Sequence, residues 1–135
     1  LVEAFVQLHK GTVRVESEEK KARKLAAFRP LVYICSPYRG NTNENIENAR
    51  KYSRFAVIHH SIPIAPHLLF SQFLDDTLGE ERQTAMFMNH VLLTKCVELW
   101  VFGSSISEGM EQEIRWAKRR HMPIRYFTEE MEEVV

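Results

Sequence analysis

The chain has 135 residues, 44% hydrophobic and 27% charged, the composition of one globular domain with a sizeable core, and this excludes a disordered polymer. Its 18 basic and 18 acidic side chains cancel, so no net field recruits duplex nucleic acid or an anionic membrane. No apolar run reaches the roughly 20 residues of a membrane span and none reads as a secretion signal, so the expected location is cytoplasmic.

In chain order, residues 1–29 open with an amphipathic stretch (Leu1, Ala4, Phe5, Leu8), break at Gly11 and continue as a charged helix from Ser17 to Ala27. They read as an N-terminal helical appendage that packs on a sheet or on a partner subunit. From residue 30 to 135 strand and helix alternate. A strand is expected over Leu31 to Cys35, a helix from about Asn43 to His60, and a short strand Ile62 to Ala65. Helical pieces follow near His67 to Leu74 and from Gly79 to Lys95, then a strand Glu98 to Phe102, a helix Ser107 to Arg120 and a last strand Pro123 to Phe127. This alternation implies an α/β domain, a parallel sheet of four to five strands with helices on both faces. Ligands of such sheets bind outside the carboxyl ends of the strands. Cys35 and Cys96 fall in separate elements and suit buried thiols better than a disulfide framework.

Two loops at that edge carry polar chemistry. After the first strand comes Ser36-Pro37-Tyr38-Arg39-Gly40-Asn41-Thr42-Asn43, with a hydroxyl, a guanidinium fork and turn residues that free backbone N–H groups. Such a loop suits a phosphate or a sugar hydroxyl; alternatively Arg39 pairs with a surface carboxylate. Asn43 is a candidate cap for the next helix. After the strand Glu98 to Phe102 comes Gly103-Ser104-Ser105-Ile106-Ser107-Glu108-Gly109, three hydroxyls ahead of a helix N-terminus. One of Ser105 and Ser107 is expected to cap that helix, leaving the others for a ligand.

Glu113 stands out within this helix. Helical spacing places Met110, Glu113, Ile114 and Ala117 on one stripe and turns Glu111, Arg115 and Lys118 away, so a carboxylate is aimed inward. Burial would raise its pKa, while the helix N-terminus or a nearby Arg39 would lower it, and a nucleophile requires the lowering effects to win. His59, His60, His67 and His90 lack the i, i+4 spacing of a helical zinc site, so no metal is expected. His67 ends the run Ile62-Pro63-Ile64-Ala65-Pro66 and is placed to face the cleft. Asp75 and Asp76, with Glu80, Glu81 and Arg82 soon after, read either as a polar loop closing over a ligand or, for the aspartates, as caps for the helix beginning near Gly79.

Tyr33-Ile34-Cys35-Ser36-Pro37-Tyr38-Arg39-Gly40, together with Gly109-x-x-x-Glu113-x-x-x-Ala117, resembles the nucleoside 2-deoxyribosyltransferase-like superfamily, which includes 2'-deoxynucleoside 5'-monophosphate N-glycosidases. The resemblance spans about residues 31 to 127. The segments Pro63 to His67 and Trp100 to Gly103 look most like a bacterial and phage subgroup. It implies a three-layer, flavodoxin-like (Rossmann-like) fold and a retaining mechanism in which Glu113 attacks C1' of the sugar. It further implies that Ser36 and Arg39, with Tyr38 and Gly40 in the same loop, hold the sugar or a 5'-phosphate, and that Ser104, Ser105 or Ser107, with Gly109, completes an anion site. A homo-oligomer, dimer or higher, is implied as well. Active relatives carry an aspartate where this chain has Asn89, and an amide cannot relay a proton. Leaving-base activation would then fall to His67, His90 or Asp76.

The expected function is therefore a nucleoside or nucleotide N-glycosidase or deoxyribosyltransferase-like enzyme, with Glu113 as nucleophile and no metal or organic cofactor, acting on a small-molecule substrate, which Arg39 and the serines tilt slightly toward a phosphorylated one. The alternative is a non-catalytic nucleotide-binding module on the same fold, motivated by Asn89. A metal-dependent hydrolase is a weaker third reading.

Overall fold

The computed structural model describes residues 17–20 and 29–135. The expected appendage and its helix from Ser17 to Ala27 lie outside the described residues, apart from 17–20 and 29. Contacts divide the chain after Pro30, and Leu31–Val135 forms one compact unit.

That unit runs β1 (Leu31–Cys35), α1 (Thr42–Ile58), β2 (Ile62–Ile64), α2 (Pro66–Leu69) with a following 3-10 turn (Phe70–Gln72), and α3 (Gly79–Thr94). It continues with β3 (Glu98–Phe102), α4 (Glu108–Arg119), β4 (Ile124–Phe127) and β5 (Glu133–Val134). The sheet order is β2-β1-β3-β4-β5; the first three pairings are parallel and β5 joins antiparallel to β4. This is the flavodoxin-like arrangement.

Strand alternation sorts the core into two layers. Val32 and Ile34 of β1, Trp100 and Phe102 of β3 and Phe127 of β4 face α1, where Tyr52 and Ala56 close over them. The Phe102 ring stacks on Tyr52 at 4.3 Å and on Phe127 at 4.9 Å. Tyr33, Cys35, Leu99 and Val101 face the other way, against Leu93 of α3 and Met110, Trp116 and Ala117 of α4. Each aliphatic side chain removed from water in this way contributes about 1.5 to 3 kcal/mol before entropy is counted. Helices therefore cover both faces.

Three local expectations change. The helix near His67 to Leu74 is a single α turn that starts at Pro66, a residue preorganised for a first helical position, and tightens at once into 3-10 geometry. Asn43 lies inside the first turn of α1; the cap position is Asn41, whose side chain turns to Glu44 Oε1 at 2.6 Å instead of to a backbone N–H. Neither Asp75 nor Asp76 caps α3, which starts after Leu78. Asp75 instead accepts from the Thr77 N–H at 2.9 Å and the Thr77 hydroxyl at 2.6 Å, closing a tight turn of its own.

Candidate active site

In this strand order the chain leaves β1 toward one neighbour and returns at β3 on the other side, so the loops after β1 and β3 part and leave a crevice. Both loops turn on glycines with left-handed backbone, Gly40 at φ 97° and Gly103 at φ 101°, a conformation that costs other residues about 1 kcal/mol or more. A cavity of about 290 Å³ lies here. Ser36 and Arg39 from the β1 loop, His67 from α2, Asn89 from α3, and Ser107, Gly109 and Glu113 from α4 and its cap all line it.

Glu113 holds the inward position that its helical stripe predicts, and its partner comes from the sheet: the Tyr33 hydroxyl donates to Glu113 Oε2 at 2.7 Å. Tyr33 is fully buried on the α4 side of β1, so the bond joins strand and helix across 80 positions of sequence. Burial pushes the Glu113 carboxyl up to about 7, against the lowering effect of hydrogen bonds from Tyr33 and Cys35. Of the two opposed effects, burial is the larger, so the carboxyl is ionised only as pH rises through about 7. Arg39, the cation invoked for the lowering effect, is spent on Asp76 at 3.1 Å. Burial and the adjoining carboxyl together hold the Tyr33 phenol well above its ordinary value, so it stays a proton donor at neutral pH.

The Ser36 hydroxyl, in a buried residue, lies 3.3 Å from His67 Nε2, and the His67 ring is tilted against Tyr38 with centroids 5.5 Å apart. Burial lowers the His67 pKa to about 4, so the ring is neutral at pH 7. A neutral imidazole bonded to a hydroxyl can orient a polar ligand group, but it carries no spare proton to give. Asn89 reaches the cavity from the middle of α3, and its Oδ1 is buried without a hydrogen-bond partner. Such an orphan costs about 1 to 3 kcal/mol.

At one side of the cavity two arginines converge on one carboxylate. Arg39 Nε lies 3.1 Å from Asp76 Oδ2 and Arg82 Nη1 3.2 Å from Asp76 Oδ1. The bond ties the β1 loop to the segment ahead of α3. Asp76, Arg39 and Tyr38 also border a second, more open depression, and Gly40 borders only that one.

The serines divide. Ser107 caps α4, accepting from the Met110 N–H at 3.3 Å, and lines the cavity, as do Gly109 and Glu108. Ser104 turns outward, its N–H and hydroxyl both donating to Glu129 Oε2 at 3.1 Å, and Ser105 is exposed away from the cavity. His90 stacks on Trp116 at 4.2 Å and does not border the cavity. Among the described residues no group of three or more His, Cys, Asp or Glu is placed to hold a metal, and no described helix is long and apolar enough to cross a membrane.

Tyr33 and Glu108 escaped the sequence reading as site residues, whereas Arg82 and Glu81, read as part of the polar loop near Asp76, do line the cavity. Tyr33 carried a signal, since alternation in β1 puts it on the face of Cys35 and hence under α4. The pairing of Arg82 with Asp76 carried none, because it depends on where the segment before α3 folds.

Residues 30–127 match the profile of a family described as Domain of unknown function (DUF7768). No curated protein matches the chain. Among solved structures, the chain is similar to the 2-deoxyribosyltransferase from the psychrotolerant bacterium Bacillus psychrosaccharolyticus, described as a biocatalyst for the synthesis of antiviral and antitumoral nucleosides. Identity is 13% and the TM-score 0.56, with 78% of this chain and 76% of that one covered. Likeness at this level speaks for the fold, which is the α/β architecture described above. The family profile covers the sheet from β1 to β4 and every element that lines the cavity, and the chain belongs to the family Domain of unknown function (DUF7768).

Proposed function

We propose that the cavity cleaves the N-glycosidic bond of a nucleoside or nucleotide, with Glu113 as nucleophile. The observation that carries this is the Glu113 carboxylate at the β1/β3 crevice, with one oxygen held by the Tyr33 hydroxyl at 2.7 Å. The other oxygen supplies the electron pair that bonds to C1', while the C1'–N bond breaks and its pair leaves on the base nitrogen. The product is a sugar ester of Glu113. Water or a second base then attacks C1' and releases the carboxylate, with net retention at the anomeric carbon. The fold likeness to a 2-deoxyribosyltransferase supports the same chemistry.

The leaving base takes its proton from solvent. Asn89 is an amide, His67 is neutral at pH 7, Asp76 is paired with two arginines, and His90 is away from the cavity. Ser36 and His67 act as a neutral pair that orients a sugar hydroxyl. The exposed Phe87 and Val91, one turn apart on α3, support assembly as a homo-oligomer, which sedimentation would test against an apparent monomer mass.

The experiment is base release from a panel of deoxynucleosides and deoxynucleoside monophosphates, with and without a free competing base, followed by chromatography for wild type and Glu113→Ala. Release that vanishes in Glu113→Ala supports the reading; release that survives it removes Glu113 from the mechanism. The orphaned Asn89 Oδ1 favours a second reading, a nucleotide-binding module without turnover. Saturable binding with no release at long incubation would select it.

A further inference from the structure

The arginines at the cavity invite a phosphate, and the charges around them argue the other way. Arg39 and Arg82 are the only Lys or Arg side chains lining the cavity among the described residues, and both are engaged by Asp76, at 3.1 and 3.2 Å. Four carboxyl groups line the same space: Asp76, Glu81, Glu108 and Glu113. Glu81 is held by the Asp75 N–H at 2.6 Å on the Asp76 side of the cavity, and Glu108 sits in the first turn of α4. An entering phosphate, with a charge of about −1.5 to −2 at neutral pH, would therefore meet two cations that already share the Asp76 carboxylate, in a lining with more carboxyl groups than guanidinium groups. To use the arginines it would have to displace Asp76 and undo the link between the β1 loop and the segment ahead of α3. Juxtaposed like charges of this kind discriminate strongly between ligands.

We infer that Asp76 is a specificity-determining residue that occupies both arginines and excludes 5'-phosphorylated substrates, so that the cavity takes the uncharged nucleoside. This rests on the N-glycosidic reading above and narrows it. The slight tilt toward a phosphorylated ligand, drawn from Arg39 and the serines, reverses for two structural reasons: Arg39 is paired, and Ser104 and Ser105 stand away from the cavity.

The test measures kcat/KM for base release from matched pairs, deoxyadenosine with its 5'-monophosphate and deoxycytidine with its 5'-monophosphate, in wild type, Asp76→Asn and Asp76→Glu. It reads the ratio of nucleoside to monophosphate, so a general loss of activity cancels. Wild type is expected to favour the nucleoside by at least about tenfold, and Asp76→Asn, which keeps the shape and removes the charge, to collapse that ratio by at least about tenfold. Asp76→Glu retains the charge and is expected to keep a preference of the wild-type sign. A wild-type ratio near one or in favour of the monophosphate overturns the inference while leaving N-glycosidic cleavage standing. A ratio that Asp76→Asn does not change overturns Asp76 as its cause. If no compound of the panel is cleaved, and none binds in equilibrium titration, the glycosidic reading falls and this inference falls with it.

Discussion

Replacing Glu113 with glutamine tests the central electrostatic feature of the cavity without needing a substrate. The carboxyl is displaced from the ordinary 4.5 to about 7 because burial penalises its charged form. At roughly 1.4 kcal/mol per pH unit, that displacement corresponds to about 3 kcal/mol of preference for the neutral form in the folded protein. The sign follows from proton binding. Between about 4.5 and 7 the folded chain holds a proton that the unfolded chain has lost, so the stabilisation is complete below the unfolded value and is lost as pH rises through the folded one. Glutamine has nearly the same shape, keeps an oxygen for the Tyr33 hydroxyl and does not titrate. Urea unfolding of wild type and Glu113→Gln at about pH 5 and about pH 8 should therefore show the wild type losing about 2.5 kcal/mol relative to the variant across that interval. The other titrating groups are common to both proteins and cancel in the difference. A difference flat to within about 0.5 kcal/mol would refute the reasoning, because the carboxyl would then be solvated as well in the folded chain as in the unfolded one.

The same carboxyl must be ionised to act as nucleophile, so kcat/KM for base release is expected to rise with pH and level off above about 7, read from a pH profile of the free enzyme. Tyr33→Phe removes the bond that holds Glu113 and lowers its pKa, and should move that rising limb to higher pH while reducing kcat/KM by about 10- to 100-fold. An unmoved limb would separate Tyr33 from the chemistry. Asn89→Asp supplies the proton-carrying group that the amide lacks, and should raise release of poor leaving bases by at least about tenfold, since a positioned acid contributes typically about 10²- to 10⁴-fold. Competition between substrates with good and poor leaving bases reads this directly. Ser107→Ala removes the α4 cap and should cost about 1 kcal/mol in urea unfolding.

Glu113, β1 and β3 show how far the linear pattern reaches. The strands Leu31–Cys35 and Glu98–Phe102 stand where their apolar runs put them, because a strand buried on both faces must be apolar throughout. The inward stripe of α4 was equally legible, since helical periodicity and burial are local consequences of spacing. The strand β5 was not: its two exposed residues carry no periodic signal, and it forms because the turn after β4, with the Thr128 N–H donating to the Glu132 carbonyl at 2.9 Å, sends the chain back along β4.

The sequence by itself determined the α/β alternation, the polar loops after β1 and β3, and the acid that points inward between them, each a property of residues within one or two turns of each other. Only the tertiary structure decided that Tyr33 holds Glu113, that burial outweighs charge at that carboxyl, and that Arg39 and Arg82 both pair with Asp76. The reason is physical. A pKa and an ion pair depend on distance and on exclusion of water, and both are set by segments far apart in the chain that meet only when the sheet is formed and its helices pack onto it.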